Sequence, residues 1–281
     1  MSTNSIISNP TLAIAQALAA QSDLKARLFK HQQFESALID DQHDFIVYVP
    51  PTYAVEQDRL FPVLFMQDGQ NLFDPDTSFI KGNYWRMGET ADTLINAGEI
   101  EPLIIVGIYN TGEHRIDEYT PVEDRRLGGG GGADAYGQML VEEFRPFVAH
   151  KYRVLISRPS CGMGGSSLGG LVSMYLGLRY PEVFGKLAIM SPSVWWRGRA
   201  IVKTVAKLRR NTDQRIWLDI GTKESQRALP DARMLKCALE RKGWREGVDL
   251  GYMEAEGGEH SEWAWAERVA PMLKFLFPAQ K

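Results

Sequence analysis

Six short runs of apolar and largely β-branched residues punctuate this chain, at 45–49, 63–66, 103–108, 187–190, 216–220 and 250–253. Each is bounded by turn residues and is too short for a helix, so each reads as a strand. Helical periodicity fills most of the intervals, at 89–97, 133–150, 168–180, 200–208, 231–242 and 261–277. Parallel strands need long crossover connections, and helices supply them. The expected class is therefore α/β: a doubly wound, mostly parallel sheet with helices on both faces. Active sites in such sheets lie outside the carboxyl ends of the strands. Attention then falls on the loops at 67–76, 109–119, 191–196, 221–224 and 256–260.

The 281 residues are 44% hydrophobic and 24% charged, as expected of a globular chain with a large core. We expect a single catalytic domain over 41–281, preceded at 1–40 by an N-terminal arm or short helical extension. A formal net charge of −3 supplies no cationic field, which excludes nucleic acid and anionic membrane surfaces as expected partners. The first residues carry no Lys or Arg ahead of the apolar stretch 12–20, so no signal peptide is expected and the location reads as cytoplasmic. No run approaches the roughly 18 to 20 apolar residues that span a bilayer. Cys161 and Cys237 are the only cysteines, too few for a disulfide framework or a zinc site, and both read as buried, reduced thiols.

Gly165-Ser166-Ser167-Leu168-Gly169 matches G-x-S-x-G, and it lies between a short strand at 161–163 and the helical pattern that starts at Leu168. A serine on such a strand-to-helix turn holds a strained backbone, so the residues two positions away on either side must be small. Gly165 and Gly169 satisfy this, and Ser167 is the expected nucleophile of an α/β-hydrolase fold. Ser166 lies in the wrong register to have glycines two residues away on both sides and reads as a packing hydroxyl. His260 is the one histidine after Ser167 and falls behind the last strand, which makes it the expected general base; His31, His43, His114 and His150 all precede the serine. The acid should follow the penultimate strand. Glu224 does, whereas Asp219 lies within that strand and Asp231 opens the next helix.

A tetrahedral intermediate needs N–H donors. Leu168 opens a helix whose N-terminus favours an anion, and Gln70 follows the tight turn that Gly69 permits, so these two backbone N–H groups form the expected oxyanion hole. Phe73, Trp85, Trp195, Trp196, Trp263 and Trp265 all follow predicted strand ends or His260 and cluster near the expected site; the first five are the expected substrate-binding aromatics, although core packing explains any one of them equally well. The glycine run 128–132 lacks the Lys-Ser/Thr ending of a P-loop and reads as a flexible loop before a helix that Asp134 is placed to cap. Asp74-Pro75-Asp76 lacks the glycine and glutamate of a calcium loop, so no metal and no cofactor is expected. The charged segment 115–119 reads as an internal salt bridge ahead of a substrate contact.

Four motifs in this order, Asp68-Gly69-Gln70-Asn71-Leu72-Phe73-Asp74, Asp117-Glu118-Tyr119-Thr120-Pro121, the Gly165–Gly170 elbow and Glu259-His260-Ser261-Glu262-Trp263, resemble the Putative esterase family of α/β-hydrolases. That group includes esterase D-like hydrolases, enterochelin esterases, feruloyl esterases and mycolyltransferases. The resemblance implies a Ser-acid-His triad, metal-independent ester hydrolysis and Gln70 with Leu168 as the oxyanion pair. Two positions depart from many relatives: Asp68 stands where they carry His, and Glu224 where the acid is often Asp.

The expected function is serine-dependent hydrolysis of carboxylic esters through an acyl-enzyme, on acylated carbohydrate, hydroxycinnamoyl or small activated esters. A siderophore trilactone esterase and an acyltransferase are the enzymatic alternatives, and a degenerate hydrolase serving as a binding protein is the other. The reading leaves the oligomeric state open, a homo-oligomer included.

Overall fold

Side chains along the central strands alternate between two separate cores, and this alternation fixes the architecture. The computed structural model describes residues 23–209 and 212–279. Its strands are β1 (Leu28–Phe34), β2 (His43–Tyr48), β3 (Phe61–Gln67), β4 (Ile104–Ile108), β5 (Val154–Leu155), β6 (Cys161–Ser166), β7 (Lys186–Met190), β8 (Arg215–Gly221) and β9 (Leu250–Ala255). They form one sheet in the order β1-β2-β4-β3-β6-β7-β8-β9, with the short β5 paired to the start of β3. From β4 to β9 every pairing along that path is parallel; β1 and β2 run antiparallel at one edge.

Among the described residues the longer helices are α1 (Met87–Asn96), α2 (Ala133–Met139), α3 (Arg145–Lys151), α4 (Leu168–Arg179), α5 (Trp196–Lys207), α6 (Ala228–Arg241) and α7 (Glu262–Leu276). A π-turn, Leu140–Phe144, joins α2 to α3. Val63, Phe65, Leu187, Ile189, Ile216 and Leu218 point into one core with α2 to α6. Leu64, Met66, Ala188, Met190 and Trp217 point into the other, which α1 and α7 cover. Both faces of the sheet are thus buried, and this is why its strands read as continuous apolar runs rather than alternating ones.

Some expectations need adjustment. Residues 1–22 of the expected arm lie outside the described residues, but Leu28–Phe34 within it is an edge strand, with Leu28 paired to Tyr48 and His31 to Phe45. Its sequence LFKHQQF is largely solvent-facing and carries no apolar alternation to reveal it. The helix that starts at Trp196 contains three left-handed residues, Arg197, Gly198 and Arg199, so its regular part begins where the periodicity placed it. Asp134 does not cap α2; Gly132 precedes the helix, and the Asp134 carboxylate instead accepts the Tyr175 hydroxyl at 2.8 Å. Cys237 is exposed, whereas Cys161 is buried and its thiol is pushed up to about 12 by burial. No helix among the described residues is long and apolar enough to cross a membrane.

Candidate active site

The carboxyl ends of β3, β6, β7, β8 and β9 converge on one cleft. At the end of β6, Ser167 takes φ 56° and ψ −123°, a conformation costly for any residue with a Cβ. Its surroundings hold it there: the Ser167 N–H donates to Met190 O at 3.1 Å, and its carbonyl accepts from Leu171 N at 3.1 Å and Ser193 N at 2.9 Å. A Cβ on Gly165 would lie 2.9 Å from Gln67 Cβ, and one on Gly169 would lie 3.0 Å from Asp68 Oδ2, so both glycines let the turn pack against β3. Ser166 is buried. Ser193 brings a second hydroxyl to 3.3 Å from Ser167 Oγ.

The loops after β8 and β9 are stitched together, and that brings the acid to the histidine. Thr222 N–H donates to Ala255 O, Lys223 N–H to Gly258 O at 2.9 Å, and Gly257 N–H to Thr222 Oγ1 at 2.8 Å. Gly221 is needed for this approach, since a Cβ there would sit 2.3 Å from Gly258 O. His260 Nε2 lies 3.0 Å from Ser167 Oγ, and His260 Nδ1 lies 2.7 Å from Glu224 Oε2. The carboxylate favours one tautomer: Nδ1–H donates to Glu224, which leaves Nε2 as an acceptor facing the Ser167 hydroxyl. The imidazole and the Trp265 ring stand nearly perpendicular, with 5.0 Å between centroids.

The Glu224 side chain is buried, and burial pushes its carboxyl up. The hydrogen bonds from His260, Ser191 Oγ and Gly221 N–H outweigh this, and its pKa lies below the usual glutamate value. Asp219, the weighed alternative, is committed elsewhere: Arg268 Nη1 lies 2.6 Å from its Oδ1, and Trp217 Nε1 donates to Oδ2 at 2.8 Å. Burial, partly offset by Arg268, raises the Asp219 carboxyl to about 6. Asp231 pairs with Arg199 at 2.7 Å on α6.

Leu168 is the first residue of α4, so its N–H has no acceptor within the helix. Gln70 is the middle residue of a 3-10 turn, Gly69–Asn71, which starts from left-handed Asp68. That turn is pressed against β4, where a Cβ on Gly69 would meet Gly107 C at 2.2 Å. Asp68 ties down the neighbouring loop: it binds Arg115 through both oxygens, at 2.7 and 2.8 Å, and accepts Asn110 Nδ2 at 2.7 Å. Asp117 in turn accepts Gly130 N–H, and a Cβ on Gly130 would lie 2.8 Å from Trp196 Cζ2. The glycine run therefore closes against Thr120 and Trp196. Asp74 accepts Lys30 Nζ and Asp76 N–H at 2.9 Å each.

The cleft has a volume of about 550 Å³ and is walled by Gln70, Phe79, Asn110, Ser167 and Trp265, with Asp68, Glu113, Arg115 and Glu262 as its charged residues. None of the five expected aromatics is among its walls. Phe73 and Trp85 are buried in the core under α1 and α7. Trp196 is buried with its Nε1–H on Val122 O at 2.7 Å, while Trp195 packs against it at a 52° tilt, half exposed. Trp263 lies in a separate groove with Arg86 and Thr90 of the α1 region. Trp265, two residues on, is the tryptophan that enters the cleft, because the helical repeat turns Trp263 outward. Ser191 and Arg268 were not singled out from the sequence as site residues; both belong to the buried network behind Glu224, which Trp265 joins through its Nε1–H on Ser191 Oγ.

A doubly wound sheet with a serine on a strained strand-to-helix turn, backed by a histidine and a carboxylate, defines an α/β-hydrolase. The family described as "Putative esterase" matches residues 36–276, and the chain belongs to it. Its activity class is carboxylic ester hydrolysis. YbbA of Bacillus subtilis, described as uncharacterized, is 29% identical over 83% of this chain and 92% of its own length. The endo-1,4-beta-xylanase/feruloyl esterase of Xylanibacter ruminicola is 25% identical over 82% of this chain, which corresponds to 29% of that longer protein. The crystal structure of enterochelin esterase from Shigella flexneri shares the fold with a TM-score of 0.70 at 16% identity, over 89% of this chain and 58% of that one.

Proposed function

We propose that this protein hydrolyses carboxylic esters through an acyl-enzyme on Ser167. As Ser167 Oγ attacks the ester carbonyl, His260 Nε2 takes its proton, and the Leu168 and Gln70 N–H groups stabilise the oxyanion. Collapse of the tetrahedral intermediate expels the alcohol, which leaves with the proton from His260. Water, deprotonated by the same imidazole, then attacks the acyl carbonyl and releases the acid and free Ser167. Glu224 holds the tautomer and stabilises the imidazolium in both halves. The observation that carries this reading is the chain of contacts Ser167–His260–Glu224 at 3.0 and 2.7 Å, built on a serine whose backbone is strained.

The substrate class we propose is acylated carbohydrate or hydroxycinnamoyl esters. A cleft of about 550 Å³ with Phe79 and Trp265 for a ring, and Gln70 and Asn110 for hydroxyls, accommodates either half of such an ester, and the feruloyl esterase relative supports the choice. Steady-state assays on acetylated xylan, methyl ferulate and p-nitrophenyl acetate test it, with Ser167→Ala as the control. Turnover by wild type and its near-complete loss in a folded Ser167→Ala variant is the expected result. Activity near wild type in that variant sinks the mechanism.

A further inference from the structure

The charged residues of the cleft do not balance. Arg115 is neutralised by both oxygens of Asp68, and His260 Nδ1 is committed to Glu224. Glu262 and Glu113 then remain in the cleft, and among the described residues neither has a cation within ion-pairing distance. The other charged groups of the 109–119 segment face other partners: His114 meets Asp41, Asp117 holds Gly130 N–H, and Glu118 binds His43 and Thr111. Glu262 is 8% exposed yet lines the cleft, so most of its water has been removed without a counter-ion to replace it. Its position as the first residue of α7 suits the helix dipole, which accounts for an acidic residue there but not for its burial at a cleft wall. Burial, then the Asp68 carboxylate, push its pKa above the usual glutamate value despite its own backbone N–H, His260 and Arg115. A ligand cation would reverse that imbalance. Phe79, 84% exposed, and the largely buried Trp265 line the same cleft, and aromatic rings favour a cation over an anion.

We propose that Glu262 and Glu113 make this cleft select esters by charge, taking a cationic group near the scissile bond ahead of a neutral group of the same shape, and an anionic group last. This rests on the serine esterase reading above. The most favoured ester carries an ammonium group on its acyl or alcohol half, neutral carbohydrate and hydroxycinnamoyl esters come next, and an anionic chelator such as a siderophore falls at the disfavoured end. With screening by an open cleft, each unit of charge is worth roughly tenfold in kcat/KM at low ionic strength.

Two matched series test this. One carries the charge on the alcohol: acetylcholine, 3,3-dimethylbutyl acetate and 3-acetoxypropanoate. The other carries it on the acyl group: ethyl 6-aminohexanoate, ethyl hexanoate and monoethyl adipate. In at least one series kcat/KM should fall in the order cation, neutral, anion, spanning about a hundredfold at low salt and shrinking at high salt. Glu262→Gln should compress that ratio by about threefold or more, since it removes one of the two unpaired charges. The exposed Glu113→Gln should compress it as well, independently of any folding defect at Glu262. A ratio near one in both series, or one that neither salt nor either variant alters, overturns the proposal while leaving the esterase intact. Failure to hydrolyse even the neutral members overturns the esterase reading and this inference with it.

Discussion

Ser191 Oγ donates to Glu224 Oε1 at 2.5 Å, and the same hydroxyl accepts from Trp265 Nε1 at 3.0 Å and Arg268 Nη1 at 3.2 Å. A single buried hydroxyl at the end of β7 thus ties the Glu224 carboxylate to α7. Ser191 sits at φ 41°, held by its own N–H on Asp219 O at 2.9 Å. Ser191→Ala removes one donor from Glu224 and leaves the buried Trp265 Nε1–H without an acceptor, while Arg268 Nη1 keeps Asp219. The expected loss is about 1 to 3 kcal/mol of stability in urea unfolding. Because Glu224 then holds the imidazole less firmly, kcat should fall roughly tenfold with KM little changed, as expected for an interaction expressed in the transition state.

Arg268 is 1% exposed and lies between Asp219 and Glu224, with Nη2 at 3.8 Å from Glu224 Oε1. Arg268→Met strands the Asp219 carboxylate in the core and should cost about 3 to 5 kcal/mol. Asp219→Leu introduced with it should recover much of that loss, and a double-mutant cycle by urea unfolding measures the coupling. Equal losses in the single and double variants would contradict this account.

Ser167 carries its strain in the backbone, so removing the side chain in two ways separates strain from chemistry. Ser167→Ala keeps a Cβ at φ 56° and stays strained, whereas Ser167→Gly releases it. Both should be inactive. The glycine variant should unfold at about 1 kcal/mol higher stability than the alanine one.

The Glu224 carboxyl has a folded pKa below its ordinary value. The stability it contributes is therefore fully present above the ordinary glutamate pKa and is lost as pH falls through the lowered folded value. Asp219 has the opposite sign: with a folded pKa of about 6 against an ordinary 3.8, the native state takes up its proton first as pH falls. Comparison of wild type with Glu224→Gln by urea unfolding isolates the first group. The gap should be widest at neutral pH and close in the acid range.

Much of the fold was legible because both sheet faces are buried, which turns each central strand into a short apolar run. The edge strand Leu28–Phe34 was not, since one exposed polar edge carries no such signal. In the candidate site, Ser167, His260 and Glu224 were legible because the chemistry demands them in a fixed chain order at strand ends. The structure brings all three within hydrogen-bonding distance. The walls of the cleft were not legible in the same way. Tryptophan spacing does not tell a core ring such as Trp85 from a cleft ring such as Trp265, and Phe79 follows no strand end directly. The role of Asp68 depends on Arg115, forty-seven residues away, and no local pattern in the sequence pairs the two.

The most direct test of the central claim is covalent. Wild-type protein treated with a fluorophosphonate and digested should yield one modified peptide by mass, carrying the label on Ser167. His260→Ala should slow labelling by orders of magnitude, because Nε2 no longer takes the serine proton. Labelling at Ser193, Ser166 or any other residue, or none on a folded and ester-hydrolysing protein, would contradict the account.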